Sequence, residues 1–95
     1  MFIIFLRFSD NKANAAQYMS QHNDWIKLGI DERIFLLVGS LGDNRGGGIL
    51  AHNTSLDELK QRLHKDPFIS EKVVVPEIIE FTPGMAESRL SFLLD

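Results

Sequence analysis

The sequence predicts an α+β fold of the ferredoxin-like βαββαβ order, closed by a C-terminal helical tail. Three observations predict it. Four β-branched or aromatic runs alternate with two helical periodicities in that order. A Ser-to-Glu capping box opens the second helix. Two of the strands are apolar on both faces, which only a sheet covered on both sides tolerates.

The elements follow in order. FIIFLRF, residues 2 to 8, is a strand on composition. SDN at 9 to 11 supplies turn and cap chemistry. A helix is expected over 12 to 31, with Met19, Ile26 and Ile30 as its apolar stripe and Gly29 inside it. IFLLVGS, 34 to 40, is the second strand. GDNRGGG, 42 to 48, reads as a loop without regular structure. ILAH, 49 to 52, is a short third strand. In TSLDELKQRLH, Ser55 caps the second helix, Glu58 reaches back, and Leu56, Leu59 and Leu63 line one face. Pro67 ends that helix. VVVPEIIEF, 73 to 81, is the fourth strand, and Pro76 marks it as an edge or a strand start. GMAESRLSFLLD can form a short amphipathic helix, with Ala86, Leu90 and Leu94 on one side.

In strand one, Phe2, Ile4, Leu6 and Phe8 oppose Ile3 and Phe5. In strand two, Ile34, Leu36 and Val38 oppose Phe35 and Leu37. Two helices cover one face of a sheet, so the other face would expose a large apolar patch. A second copy laying its own sheet there would hide it, and a homodimer is the expected assembly; the alternative is that side chains tilt into the helical layer or reach the C-terminal tail.

Ninety-five residues form one domain, 1 to 95, short enough to gain from a partner. The net charge is −3, and no Lys or Arg run exceeds one residue, which disfavours nucleic acid. The absence of cysteine removes disulfides, thiolate metal sites and a Cys nucleophile. The MFIIFLRF run is too short for a signal peptide or a membrane span. A soluble, cytoplasmic protein is expected, with no membrane contact.

His22 stands between Met19 and Ile26, at spacings that set an imidazole in the apolar stripe of helix one. It reads either as a core histidine bonded to backbone or as a general acid/base that titrates near neutrality. Asp66, in KDPFI, reads as turn chemistry at a helix end, or as the carboxylate that fixes the His22 tautomer. The GDNRGGG loop offers N–H groups of Gly46, Gly47 and Gly48 to an anion, with Arg45 as a clamp; its other reading is a flexible turn. No nucleotide-binding pattern is present. His52 and His64 match no metal-ligand spacing and read as surface residues, so no metal is expected. Trp25 reads as core, with a second use as a pocket wall.

QHNDWI, FLLVGSLGDNRGGGILA, KDPFI and EIIEFTP, in this order, resemble the YCII-related (YciI-like) family over nearly the whole chain. The resemblance implies a dimeric α+β barrel built of ferredoxin-like protomers, with His22 and Asp66 as the active-site pair. It also matches Gly39 and Arg45. Two positions depart from the family pattern. Ser40 stands where proline is usual, adding a hydroxyl that would line the pocket. Arg33 stands where a turn glycine is usual. The resemblance implies cofactor-independent proton transfer of isomerase, lyase or dehydrochlorinase type on a small anionic molecule; on the loop chemistry above, Arg45 and Gly46 to Gly48 would hold it, with Ser40 beside them. The alternative is a non-catalytic ligand-binding or dimerisation module.

Overall fold

A computed structural model describes residues 1 to 94. Four strands form one antiparallel sheet: β1 (Phe2–Phe8), β2 (Phe35–Ser40), β3 (Gly46–Ala51) and β4 (Val74–Glu80). Their spatial order is β2-β3-β1-β4, the ferredoxin-like arrangement. The helices are α1 (Ala15–Asp31), α2 (Leu56–His64) and a single turn, α3 (Pro67–Ser70). Among the described residues, no helix is long and apolar enough to cross a membrane.

The inner sheet face carries Phe2, Ile4 and Leu6 from β1 and Ile49 and Ala51 from β3, all buried. Trp25 of α1, Leu59 and Leu63 of α2 and Phe68 of α3 close over them. Trp25 Nε1–H donates to the carbonyl of Arg62 at 2.9 Å, which ties α1 to the end of α2 and satisfies the buried indole. The capping box holds as expected. The Glu58 N–H donates to Ser55 Oγ at 3.1 Å, and the Ser55 N–H donates to Glu58 Oε1 at 3.0 Å. Leu56 lies at the exposed end of its stripe.

Four details differ from the sequence reading. First, the buried face of α1 is Trp25 and Gly29, with Tyr18 packed against it, while Met19 and Ile30 are exposed. The helix is turned by about a quarter of a circle from the stripe of large aliphatics. The cause is Gly29: a Cβ there would stand 2.2 Å from the Phe35 ring, so its bareness lets helix and sheet touch. Second, the glycine run is strand, not loop. Gly46, Gly47 and Gly48 pair with Arg7, Leu6 and Phe5 of β1, and Gly47 and Gly48 also pair with Ser40 and Gly39 of β2. Gly46 has φ +131°, and a Cβ there would lie 1.9 Å from the Leu6 carbonyl oxygen, so the close crossing demands glycine. Third, the β2–β3 register shifts between Phe35 and Leu37. This bulge puts Val38 on the same side as Phe35, against simple alternation. Fourth, Pro67 starts a helix as well as ending one. It is the first residue of α3, with Asp66 as the cap.

β4 lies at the sheet edge, in keeping with Pro76. The face away from the helices carries Leu37 and Val75, which are 62% and 59% exposed, along with Ile79. The tail runs back along this face through 3-10 turns at Ser88–Leu94 rather than an α-helix, and Phe92 rests on the His52 ring at 5.8 Å. Asp95, the last residue of the expected tail helix, lies outside the described residues.

Candidate active site

The site is built by α1, α3 and the inner surface of β1 and β3. Asp66 is placed by local chemistry. Its Oδ1 accepts the Phe68 N–H at 3.0 Å, and its carbonyl accepts from Ile69 and Ser70. This is an N-cap reinforced by proline at the first helical position. The same Oδ1 lies 2.8 Å from His22 Nδ1. The turn reading and the pairing geometry are therefore both present, on one oxygen. The His22 side chain is 11% exposed and that of Asp66 0%.

Around the pair, the Phe68 ring lies parallel to the imidazole, with centroids 3.9 Å apart and planes 7° apart. Trp25 lies 6.0 Å from the same ring. The His22 ring plane is thus fixed by stacking and its rotation by Asp66. A carboxylate accepts at Nδ1 only from an N–H, so the neutral ring carries its proton on Nδ1 and leaves Nε2 as a base. Asp66 Oδ2 is buried with no hydrogen-bond partner among the described residues. Nε2 has no protein partner among them either, yet it is not sealed off.

His22 faces a cavity of about 330 Å³ between α1 and the sheet. Leu6, Phe8, Ile26, Val38 and Phe68 make it apolar, and Asn23, Ser40 and Asn44 add polar groups. A void of about 150 Å³ takes up a benzene ring, so this one has room for one substituted ring. Gly47 faces inward opposite Leu6 and lines the hollow, so the glycine run leaves space where side chains would fill it.

The other site candidates are placed as follows. Ser40 lines the cavity at the end of β2, and Gly46, Gly47 and Gly48 line it with backbone. Gly47 and Gly48 pair with strands on both sides, which commits their peptide groups to the sheet rather than to an open anion nest, while Gly46 pairs with β1 alone. The Arg45 side chain is 72% exposed, pairs with Asp43 at 3.4 Å and is not among the cavity residues. Trp25 lies in the core and outside the cavity lining. Sequence reasoning missed Asn23, Asn44 and the stacking role of Phe68. Phe68 follows the capping Asp66 by two residues, and its stacking depends on where α1 brings His22.

The elements, order and register define an α+β chain of ferredoxin-like topology with a single-ring hollow beside a His–Asp contact. No family model matches the sequence, and no curated protein matches it. A solved structure of similar fold is the 5-chloro-2-hydroxyhydroquinone dehydrochlorinase (TftG) from Burkholderia phenoliruptrix AC1100, in complex with 2,5-dihydroxybenzoquinone. The TM-score is 0.70 with 14% identity, covering 88% of this chain and 96% of that one. Likeness at that identity establishes the fold.

Proposed function

We propose that this chain is a YciI-like enzyme that moves a proton on a small, planar, anionic molecule, with His22 as the acid/base and Asp66 as its positioning carboxylate. The observation that carries the reading is the 2.8 Å contact of Asp66 with Nδ1, which leaves Nε2 for an adjoining cavity the size of one substituted ring. A ring held in one tautomer accepts a proton at Nε2, and the imidazolium so formed is stabilised by Asp66 and by the Phe68 face. Such positioned proton transfer contributes roughly 10²–10⁴ in rate. The chemistry uses only the imidazole, so the proposal invokes no cofactor.

The structural neighbour's name supplies a concrete reaction to try. From a chlorinated hydroxyhydroquinone, one hydroxyl proton is first moved to the chlorine-bearing carbon, giving the keto tautomer; Nε2 then takes a second hydroxyl proton, the C–Cl bond breaks, and chloride leaves with the bonding pair as the ring becomes a hydroxyquinone. Atoms and electrons balance without an outside oxidant.

The proposal includes a homodimer through the helix-free face, on which Leu37, Val75 and Ile79 are exposed. Sedimentation of the wild type should give a dimer, and Leu37→Asp a monomer; a monomeric wild type removes this part. The functional test is chloride release from 5-chloro-2-hydroxyhydroquinone by wild type and by His22→Asn. Loss of at least about a hundredfold in the variant, under conditions where it remains fully folded, is the expected result. Equal rates discard the mechanism. Tight binding without turnover of this or any related ring would favour the non-catalytic module.

A further inference from the structure

We propose that Lys12 is the cation that selects anions for the His22 cavity, the part that the sequence pattern gives to Arg45. The inference rests on the proposed reading of that cavity as a substrate site.

Lys12 lies in the 3-10 turn (Lys12–Asn14) that leads from β1 into α1. Its Nζ donates to the Asn44 carbonyl oxygen at 3.4 Å and stands 4.8 Å from the centroid of the Phe8 ring. Both Phe8 and Asn44 line the cavity. Lys12, like Arg45, does not itself line the cavity, but its ammonium touches two residues that do, Phe8 at the end of β1 and Asn44 in the β2–β3 hairpin. An ammonium has three donors, and one is spent on Asn44. The ring face favours its charge without consuming an N–H.

The other charged groups near the mouth support the choice. Asp43 and Arg45 pair with each other at 3.4 Å, so neither is free of its neighbour. Among the described residues, no carboxylate pairs with Lys12. Asn44 is held in the left-handed region at φ 56°, directly after Asp43 at φ 60°. Two such residues in succession cost backbone energy, and they bring the Asn44 carbonyl within reach of the lysine. α1 begins with no acidic residue in its first turn and no side-chain cap, so its dipole adds positive potential beside Lys12. Deeper in, among the described residues, the acidic group beside the cavity is the buried Asp66, already bonded to His22. An anionic ring would enter with its apolar body against Phe8 and Phe68, its charge at the mouth toward Lys12, and its reacting hydroxyl toward Nε2.

The test uses an isosteric pair, 4-hydroxybenzoate and 4-hydroxybenzamide, titrated calorimetrically into wild type, Lys12→Gln, Lys12→Arg and Arg45→Gln. Wild type should prefer the benzoate, and Lys12→Gln should lose about three- to fivefold of benzoate affinity with the benzamide unchanged. Lys12→Arg should keep the preference, Arg45→Gln should not alter it, and added salt should shrink it. A preference that survives Lys12→Gln, one that is lost in Arg45→Gln instead, or a wild type that takes neither probe overturns the proposal. The catalytic reading fails separately, by turnover that survives His22→Asn. That variant should still prefer the benzoate.

Discussion

Asp66→Asn tests the site through the stability of the fold. Asp66 Oδ1 accepts two hydrogen bonds, from His22 Nδ1–H and the Phe68 N–H, while Oδ2 is buried without a partner. In the variant, the amide oxygen keeps both bonds, and the amide NH₂ takes the place of Oδ2. Two N–H donors are then buried with nothing to accept them, at a cost of about 1–3 kcal/mol. The bond to His22 also loses its charge assistance, worth about 1 kcal/mol. Removing a buried charge returns part of this. The net loss is about 1–3 kcal/mol. A domain of this size melts about 4–8 °C lower for each kcal/mol, so the midpoint should fall by roughly 5–20 °C. Urea unfolding at matched protein concentrations, beside a thermal scan, is the assay. Asp66→Ala should cost more, because it also removes the cap of α3. An Asp66→Asn protein as stable as wild type would refute the reasoning, since it would mean that Oδ2 is solvated or that the pair does not form.

Four other outcomes are expected. Gly47→Ala places a methyl 3.3 Å from the Gly39 carbonyl oxygen at the cavity wall; 4-hydroxybenzoate affinity should drop severalfold while melting moves little, read by calorimetry and thermal scan. Arg33 occupies the left-handed region at φ 63° just after α1, so Arg33→Gly should raise stability by about 1 kcal/mol, measured by urea unfolding. Ser55→Ala should cost about 1 kcal/mol at neutral pH by removing the cap of α2. The hydrogen bonds to Ser55, backbone first, hold the Glu58 carboxyl below its ordinary value. Glu58's stabilisation is therefore present above the unfolded carboxylate's titration and lost as pH falls through the lower folded value, and a Glu58→Gln pH series should show its difference from wild type vanish in acid.

The order of strands and helices was legible because each was written in local terms. The β-branched run of β1, the Ser55–Glu58 box and the punctuation at Pro67 all act within a few residues. His22 and Asp66 were singled out by helical spacing and by a place before proline, but both signals left the core-histidine and turn readings open, and their 2.8 Å contact across 44 residues was not written in either. What stayed hidden depends on contacts across the sheet. The glycines at 46 to 48 look like a loop until Leu6 and Gly39 are seen beside them. The turn of α1 about its axis is set by Gly29 against Phe35, a pair that hydrophobicity cannot reveal because one member has no side chain. The bulge at Phe35/Leu37 reverses the facing of Val38 with no change in composition. Lys12 escaped notice for a related reason: its partners Phe8, at the end of β1, and Asn44, between β2 and β3, are brought together only by the fold.

Nitrogen-15 NMR of the His22 ring tests the site most directly, taken with and without 4-hydroxybenzoate. At a pH where the ring is neutral, the account predicts the proton on Nδ1, beside Asp66, and an Nε2 signal shifted by the added ring. A proton resident on Nε2, or an Nε2 signal that ignores a ligand bound to the protein, would contradict it.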